Sequence, residues 1–173
     1  MKIALICPSN LLFMPYVKNY RIILDENKIK YDVINWDRFQ NEPLNTLTYR
    51  DHKLGHKRNI FDYYKYGQFI INKIVSNKYD KLIVFGIQIA FVLRSFLKKY
   101  KNKYIFDIRD YNRVNRFYNL NKIIHNSAFT VLSSPGFKSW LPESEKYIIN
   151  HNTNLKEINK DRKSTRLNSS HTS

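Results

Sequence analysis

The sequence predicts an α/β fold in which a mostly parallel β-sheet lies between two layers of helices. Three observations predict it: continuous apolar runs too short for helices, amphipathic helical periods between them, and mostly short connections. The runs do not alternate with polar residues, as expected for strands covered on both faces. They lie at positions 3–7, 33–36, 82–85, 104–108, 129–132 and 147–149. Right-handed connections between them predict a Rossmann-like three-layer αβα sandwich of about six strands, in the order 3-2-1-4-5-6.

Length and composition indicate one compact domain. The chain has 173 residues, of which 43% are hydrophobic and 15% aromatic, so it can bury a sizeable core and is not disordered. A single cysteine excludes a disulfide scaffold and is typical of a reducing compartment.

The first two helices follow from periodicity and from breaker residues. The first is expected to begin at Pro15 and to end near the polar segment 25–27, with one apolar face formed by Val17, Tyr20, Ile23 and Leu24. A long polar stretch then runs from position 37 to position 59. The second helix follows it, with an apolar face formed by Ile60, Tyr64, Gly67, Ile71 and Ile74.

Three more helices are expected in the second half of the chain. The third has a wide apolar face formed by Ile89, Val92, Leu93, Phe96 and Leu97, and the fourth presents Val114, Phe117, Leu120 and Ile124. A short fifth helix begins at Pro135, with Ser134 as its N-cap.

No stretch of the sequence has the pattern of a signal peptide or a membrane span. The apolar run at the start stops at Pro8, short of the ~7 to 15 apolar residues of a signal sequence. The longest apolar run, 82–93, is shorter than the ~20 residues that cross a bilayer. We therefore expect a soluble, cytoplasmic protein.

The predicted topology locates a candidate site before any motif is considered. Ligands of such sheets bind beyond the carboxyl ends of the strands, near the point where the strand order reverses. The segments at those ends are 8–14, 37–38, 86–88, 109–113 and 133–136. The candidate ligand-binding side chains and turns there are Ser9, Asn10, Asp37, Arg38, Gly86, Gln88, Arg109, Asp110, Arg113, Ser133 and Ser134.

Several common site chemistries are excluded by their missing motifs. The turn after the first strand has no glycine, so a dinucleotide such as NAD or FAD is not expected. There is no phosphate-binding P-loop, no metalloprotease helix motif, no cysteine pair and no nucleophile elbow. His52 and His56 lie four residues apart in a polar stretch without a third ligand, so neither a metal nor another cofactor is expected.

Five segments, in order and spacing, carry a family resemblance: 1–10 (MKIALICPSN), 31–38 (YDVINWDR), 106–110 (FDIRD), 132–137 (LSSPGF) and 148–152 (IINHN). Over residues 1–153 they resemble the N-terminal domain of bacterial family 4-like glycosyltransferases, which have two Rossmann-like lobes in the GT-B arrangement. The resemblance implies an acceptor-binding lobe. Its enzyme would move a sugar from a nucleotide-sugar donor to a saccharide or lipid-linked acceptor in cell-surface polysaccharide synthesis.

The resemblance also implies what this lobe would not do. The family holds the donor mainly with a C-terminal lobe, which would begin beyond His151, so this chain is expected to be inactive by itself. The loop after the first strand lacks the glycine pair of many relatives, so a donor-phosphate contact by that loop is not implied.

The end of the chain has a different character. Residues 161–171 (DRKSTRLNSSH) look like the translation of a common sequencing-library adapter, so we expect 161–173 to be a non-native, disordered tail. Residues 154–160 would then be the start of an interdomain linker, and the natural gene would continue beyond them.

Several candidate residues have two interpretations. Asp107 and Arg109 share one face of a strand, so they form either an internal ion pair or a substrate contact. Asp110 either caps the next helix or orients an acceptor hydroxyl group as the candidate catalytic residue. Arg109, Arg113 and Arg116 either hold a diphosphate or form a solvated basic face. Ser134 either caps a helix or binds a ligand.

The net charge of +16 supports a second hypothesis about function. Lysines are scattered along the chain rather than gathered in one block, so basicity alone does not indicate nucleic-acid binding. For a glycosyltransferase lobe, these charges would favour peripheral contact with the anionic inner face of the membrane. The alternative is a standalone basic Rossmann-like module that binds nucleic acid or another polyanion.

Overall fold

One parallel sheet organises the computed structural model, which describes residues 1–111 and 118–151. Its strands are β1 (Lys2–Cys7), β2 (Lys30–Trp36), β3 (Thr48–Tyr49), β4 (Lys81–Phe85), β5 (Tyr104–Ile108), β6 (Phe129–Leu132) and β7 (Tyr147–Ile149). They lie in the order β3-β2-β1-β4-β5-β6-β7, and every neighbouring pair is parallel. The predicted Rossmann-like α/β class and the order 3-2-1-4-5-6 are confirmed, and β7 extends the sheet at one edge.

The third strand is not the one that the apolar runs suggested. Thr48–Tyr49 pairs with Asn35 and Trp36 of β2, inside the stretch that the sequence marked only as polar. Two residues are too short to show any periodicity, so this strand had no local signal. The run 82–85 is therefore the fourth strand, and it lies beside β1.

The helices occupy both faces of the sheet. They are α1 (Pro15–Glu26), α2 (Ile60–Asn77), α3 (Ile87–Val92), α4 (Arg94–Leu97) and α5 (Asn121–Asn126), with short 3-10 segments at Leu11–Phe13, Lys98–Tyr100 and Pro135–Ser139. α1 packs on one face, against Leu5, Cys7 and Phe85. α2 to α5 pack on the other face, against the opposite side chains of the same strands. This arrangement follows from right-handed connections that run in both directions from β1.

Local signals explain where two of the helical segments begin. Asn59 and Asp62 form a capping box at the start of α2, and Lys53 pairs with the Asp62 carboxylate at 2.6 Å. Ser134 caps the 3-10 segment after β6, because its Oγ accepts a hydrogen bond from the Gly136 N–H at 3.3 Å. The predicted capping role of Ser134 is therefore confirmed.

Some predicted helix faces are wrong. Ile23, on the predicted inner face of α1, is 48% exposed, and Tyr64 of α2 is 44% exposed. In α2 the buried positions include Tyr66 and Ile70 instead. In α2 the reason is a contact distant in sequence: the Tyr66 hydroxyl donates to the carbonyls of Cys7 and Ile34, which places that side of the helix against the sheet.

The third and fourth predicted helices also differ in extent. Positions 87–97 form α3 and α4 with Leu93 between them, although hydrogen bonds from Leu93 to Ile89 and from Leu97 to Leu93 continue the helical path. Of the fourth predicted helix, positions 114 and 117 lie outside the described residues, and the described helix α5 begins at Asn121. The predicted linker and tail, 154–173, also lie outside the described part of the chain.

Over the described ranges, 1–111 and 118–151, no helix is long and apolar enough to cross a membrane.

Gly86 joins β4 to α3 with a backbone conformation that other residues avoid, at φ 85° and ψ 145°. We expect Gly86→Ala to lower the free energy of unfolding by about 1–3 kcal/mol, because an L-amino acid with a Cβ atom is strained in this backbone conformation. Urea unfolding followed by circular dichroism measures the change. Gly136→Ala, at a glycine with ordinary φ, is the matched control and should change stability little. Equal losses in the two variants would contradict the role given to the Gly86 conformation.

Candidate functional site at the carboxyl edge

The parallel sheet brings the loops after β1, β2, β4, β5 and β6 to one edge. The strand order reverses at β1, which lies between β2 and β4. The loop after β1 lies close to the loop after β4, since a Cβ added to Gly86 would lie 3.5 Å from the Pro8 ring. The predicted site segments that the structure describes all lie along this edge.

Asn10 ties the loop after β1 to the loop after β2. Its Nδ2 donates to Asp37 Oδ1 at 2.6 Å and to Asn41 Oδ1 at 2.8 Å, and its Oδ1 accepts from the Arg38 N–H at 2.8 Å. The side chain is fully buried and its hydrogen-bonding groups are occupied. Asn10 therefore stabilises the two loops of the edge while remaining buried.

Asp37 is the ionic centre of the same loop. Its fully buried carboxylate is paired with the Arg50 guanidinium, with Nε at 2.9 Å, and also accepts from the backbone N–H groups of Asn41 and Glu42. Burial by itself raises the pKa of a carboxyl group, but these hydrogen bonds and that from Asn10 hold the pKa of Asp37 below its ordinary value. Asp37 is thus ionised and engaged by protein groups.

Arg38 is packed under the loop rather than exposed on it. Its guanidinium carbon lies 4.4 Å from the centre of the Trp36 ring, and Nη2 donates to the Tyr63 hydroxyl at 3.2 Å. Only 5% of the residue is exposed. Its position supports a structural role, as a cation stacked between aromatic rings.

Asp107 and Arg109 form the internal ion pair that was one of the two predicted possibilities. Arg109 Nε lies 2.5 Å from Asp107 Oδ1 and Nη2 lies 2.7 Å from Oδ2, while Nη1 donates to the Asn150 carbonyl at 2.9 Å. The Tyr20 hydroxyl of α1 also donates to Asp107. Burial raises the pKa of Asp107, and the hydrogen bonds from Arg109 and Tyr20 oppose that shift. The pair joins β5 to α1 and to the end of β7.

Asp110 differs from the other carboxylates of the edge because it is exposed. It follows β5 directly after Arg109, and its carboxylate forms no hydrogen bond with another described residue. The next residue, Tyr111, packs on Trp140, with ring centroids 5.1 Å apart. Asp110 thus offers an exposed carboxylate in the segment that follows β5, and the Tyr111–Trp140 pair offers aromatic surface in the segments that follow β5 and β6.

The remaining predicted residues have varied surroundings. Ser133 Oγ donates to the Arg109 carbonyl at 2.9 Å, and Gln88 is half-buried in the first turn of α3. The Ser9 hydroxyl is buried, and no hydrogen-bond partner for it is found in the described ranges. Arg113 and Arg116 lie outside the described residues. The edge thus offers hydroxyl, amide and carboxylate groups, which suit a ligand rich in hydroxyl groups.

Sequence reasoning missed Arg50 and Glu42, which complete the loop after β2. Glu42 accepts from the Leu11 N–H at 2.6 Å and from the Asn35 side chain. Both residues lie in the long polar stretch, where no spacing distinguishes a buried ion pair from solvated charge. In residues 1–111 and 118–151, no group of three or more His, Cys, Asp or Glu side chains could hold a metal ion.

Removing the Asp37 charge tests this arrangement. We expect Asp37→Asn to lower the free energy of unfolding by about 3 kcal/mol near neutral pH, because it leaves the Arg50 guanidinium without its anion. The pKa of Asp37 is lower in the folded chain than in the unfolded chain. Its stabilising effect is therefore complete above the unfolded pKa of about 4 and is lost as the pH falls through the folded pKa.

The measurement is urea unfolding of wild type and Asp37→Asn at neutral pH and at about pH 3. The difference between the two proteins should shrink at the lower pH. Asp25→Asn, at an exposed position of α1, is the control and should have little effect. An undiminished difference in acid would show that the charge of Asp37 is not the source of the stabilisation.

Comparison with known proteins supports the fold. No protein-family model and no curated protein matches this sequence. Among solved structures, the fold is similar to a chain of sucrose-phosphate synthase from Thermosynechococcus elongatus, with a TM-score of 0.69 and 12% sequence identity. The superposition covers 99% of this chain and 100% of that chain. At this identity the likeness shows that the two chains share a fold.

Proposed function

We propose that this chain is the acceptor-binding lobe of a glycosyltransferase. The enzyme would move a sugar from a nucleotide-sugar donor to a saccharide or lipid-linked acceptor in cell-surface polysaccharide synthesis. The observation that carries the proposal is the full-length fold likeness to a chain of sucrose-phosphate synthase, a protein named for a reaction on sugars. The resemblance of five ordered sequence segments to family 4-like glycosyltransferases supports the same function.

The carboxyl edge has the properties that an acceptor site needs. Sugars are bound by hydrogen-bonding groups held in fixed directions beside apolar surface. The buried hydrogen bonds and ion pairs of Asn10, Asp37 and the Asp107–Arg109 pair fix the positions of these loops. Asp110, which follows Arg109 in the chain, is exposed to solvent, and the Tyr111–Trp140 pair supplies aromatic surface at the same edge.

The residues at this edge have distinct proposed roles. Asp110 accepts a hydrogen bond from the acceptor hydroxyl group and orients it for reaction. Ser9 and Gln88 bind the acceptor by hydrogen bonds, and Ser134, whose Oγ accepts the capping hydrogen bond, donates its hydroxyl hydrogen to the acceptor. Arg113 contributes positive charge toward a donor diphosphate. Arg109, because its guanidinium already binds Asp107, acts by positioning β5.

The proposal also covers the partners of this lobe. The donor is held mainly by a second lobe, so this chain by itself binds the acceptor without transferring a sugar. The protein works in the cytoplasm, and its basic surface contacts the anionic inner face of the membrane, where lipid-linked acceptors lie.

Binding of saccharides to this chain tests the function directly. We expect a panel of oligosaccharides to shift the backbone amide NMR signals of segments 9–10, 86–88, 109–111 and 133–134. Asp110→Asn should weaken the binding about tenfold, because a hydrogen bond to a charged group is lost. Glu145→Gln removes an exposed carboxylate before β7, at the opposite edge of the sheet, and should leave the affinity unchanged.

Two results would contradict the proposal. One is the absence of saccharide-dependent shifts at the carboxyl edge. The other is tight binding of labelled RNA or DNA with a steep dependence on salt, which would favour the polyanion-binding alternative.

A further inference from the structure

A second concave surface lies away from the carboxyl edge, between the α3–α4 segment and α5. It is a pocket of about 260 Å³ on the helical face opposite α1. Phe91, Arg94, Ser95 and Lys98 line one side, and Asn119 and Lys122 line the other. The residues placed at the candidate acceptor site do not line it, so it is a separate feature of the fold.

All the charged residues of the described ranges that line this pocket are positive. Three cations line it, one each from α4, from the 3-10 segment Lys98–Tyr100 and from α5, and no carboxylate of the described ranges does. None of the three takes part in a salt bridge between described residues, whereas Arg50, Arg58 and Arg109 all do. Like charges that converge in a concavity repel one another, and the repulsion is relieved when an anion binds among them.

The Arg94 side chain is held in place by its neighbours. Its guanidinium carbon lies 4.2 Å from the centre of the Phe91 ring, and Nη1 donates to the Phe91 carbonyl at 2.8 Å and to the Tyr64 hydroxyl at 3.5 Å. Among the described residues, Nε and Nη2 donate to no other group. These two nitrogens form the planar fork that binds two oxygens of a phosphate group.

The other lining residues complement Arg94. Lys98 and Lys122 are exposed and supply compact charges with rotatable donors. The Ser95 hydroxyl and the Asn119 amide are neutral donors on opposite sides of the pocket. The volume suits a small phosphate compound rather than an extended polyanion.

We propose that this pocket binds the phosphate group of an anionic ligand through Arg94, Lys98 and Lys122. The phosphate belongs either to a lipid headgroup or to a free phosphate compound, and both present the same oxygens. The lipid source rests on the membrane contact in the proposed function and would assign that contact to this face. The pocket itself does not depend on glycosyl transfer.

The experiment compares the wild-type chain with the double variant Lys98→Gln/Lys122→Gln. These lysines are exposed and have no ion-pair partner among the described residues, so the fold is retained. The matched control is Lys81→Gln/Lys103→Gln, which removes the same charge from exposed positions at the amino edge of the sheet. Thermal unfolding of all three proteins verifies that they are folded.

Two probes distinguish the sources of the phosphate. Inorganic pyrophosphate is titrated by calorimetry and by amide NMR, and it should shift the signals of 91–98 and 119–123. We expect at least tenfold weaker pyrophosphate binding in the double variant and little change in the control. Phosphatidylcholine vesicles with and without phosphatidylglycerol form the second arm, with about fivefold weaker partitioning for each pocket lysine removed.

Each outcome decides the inference. Loss of both kinds of binding in the double variant alone supports a pocket for a lipid phosphate. Loss of pyrophosphate binding in the double variant, with vesicle binding either absent or equal in both variants, supports a pocket for a free phosphate compound and contradicts the assignment of a membrane contact to this face. Pyrophosphate binding that is equal in both variants, or no binding of either probe, overturns the pocket. Saccharide binding at the carboxyl edge is measured separately, so failure here is distinguishable from failure of the proposed function.

Discussion

The parallel pairing of β1 with both β2 and β4 is the constraint on which the rest of the structure depends. Because the chain moves from β1 to β2 in one direction and from β3 to β4 in the other, right-handed connections place α1 on one face and α2 to α5 on the other. The same pairing directs the carboxyl ends of all strands to one edge. Both the core and the candidate site follow from this register.

Buried polar groups at that edge hold the loops, and exposed groups remain available to a ligand. Asp37 and Asp107 are both fully buried, and each is paired with an arginine. A buried charge is stable in a protein only when it is paired and hydrogen-bonded, so both carboxylates are fully engaged. The groups that can bind a ligand are therefore the exposed residues near these pairs. Asp110 is the clearest example.

Positive charge is used differently in different parts of this lobe. Arg38 and Arg109 are buried and Arg50 is half-buried, and each is held by aromatic rings or by a carboxylate. Arg94, Lys98 and Lys122 line one pocket, and no carboxylate of the described residues pairs with them, although Arg94 stacks on the Phe91 ring. The carboxyl edge and this pocket are thus separate surfaces of one lobe, and they differ in their chemistry.

The sequence by itself determined the fold class, the six longer strands, the capped segment at Ser134 and the exclusion of a dinucleotide motif. These features depend on contacts between near neighbours in the chain, which leave periodic or positional patterns. It also placed Asp107 and Arg109 on one face, because alternate residues of a strand share a side. The strand order was predictable as well, since few topologies are compatible with right-handed connections.

Only the tertiary structure decided which of the candidate residues are buried in hydrogen bonds between loops and which are exposed to a ligand. The bonds from Asn10 to Asp37 and from Tyr20 to Asp107 join positions 27 and 87 residues apart. It likewise decided the strand at Thr48–Tyr49 and the inner face of α2, which Tyr66 sets through the carbonyls of Cys7 and Ile34. Hydrogen bonds and pairings between distant segments leave no mark on local patterns, because their partners become neighbours only when the sheet has formed.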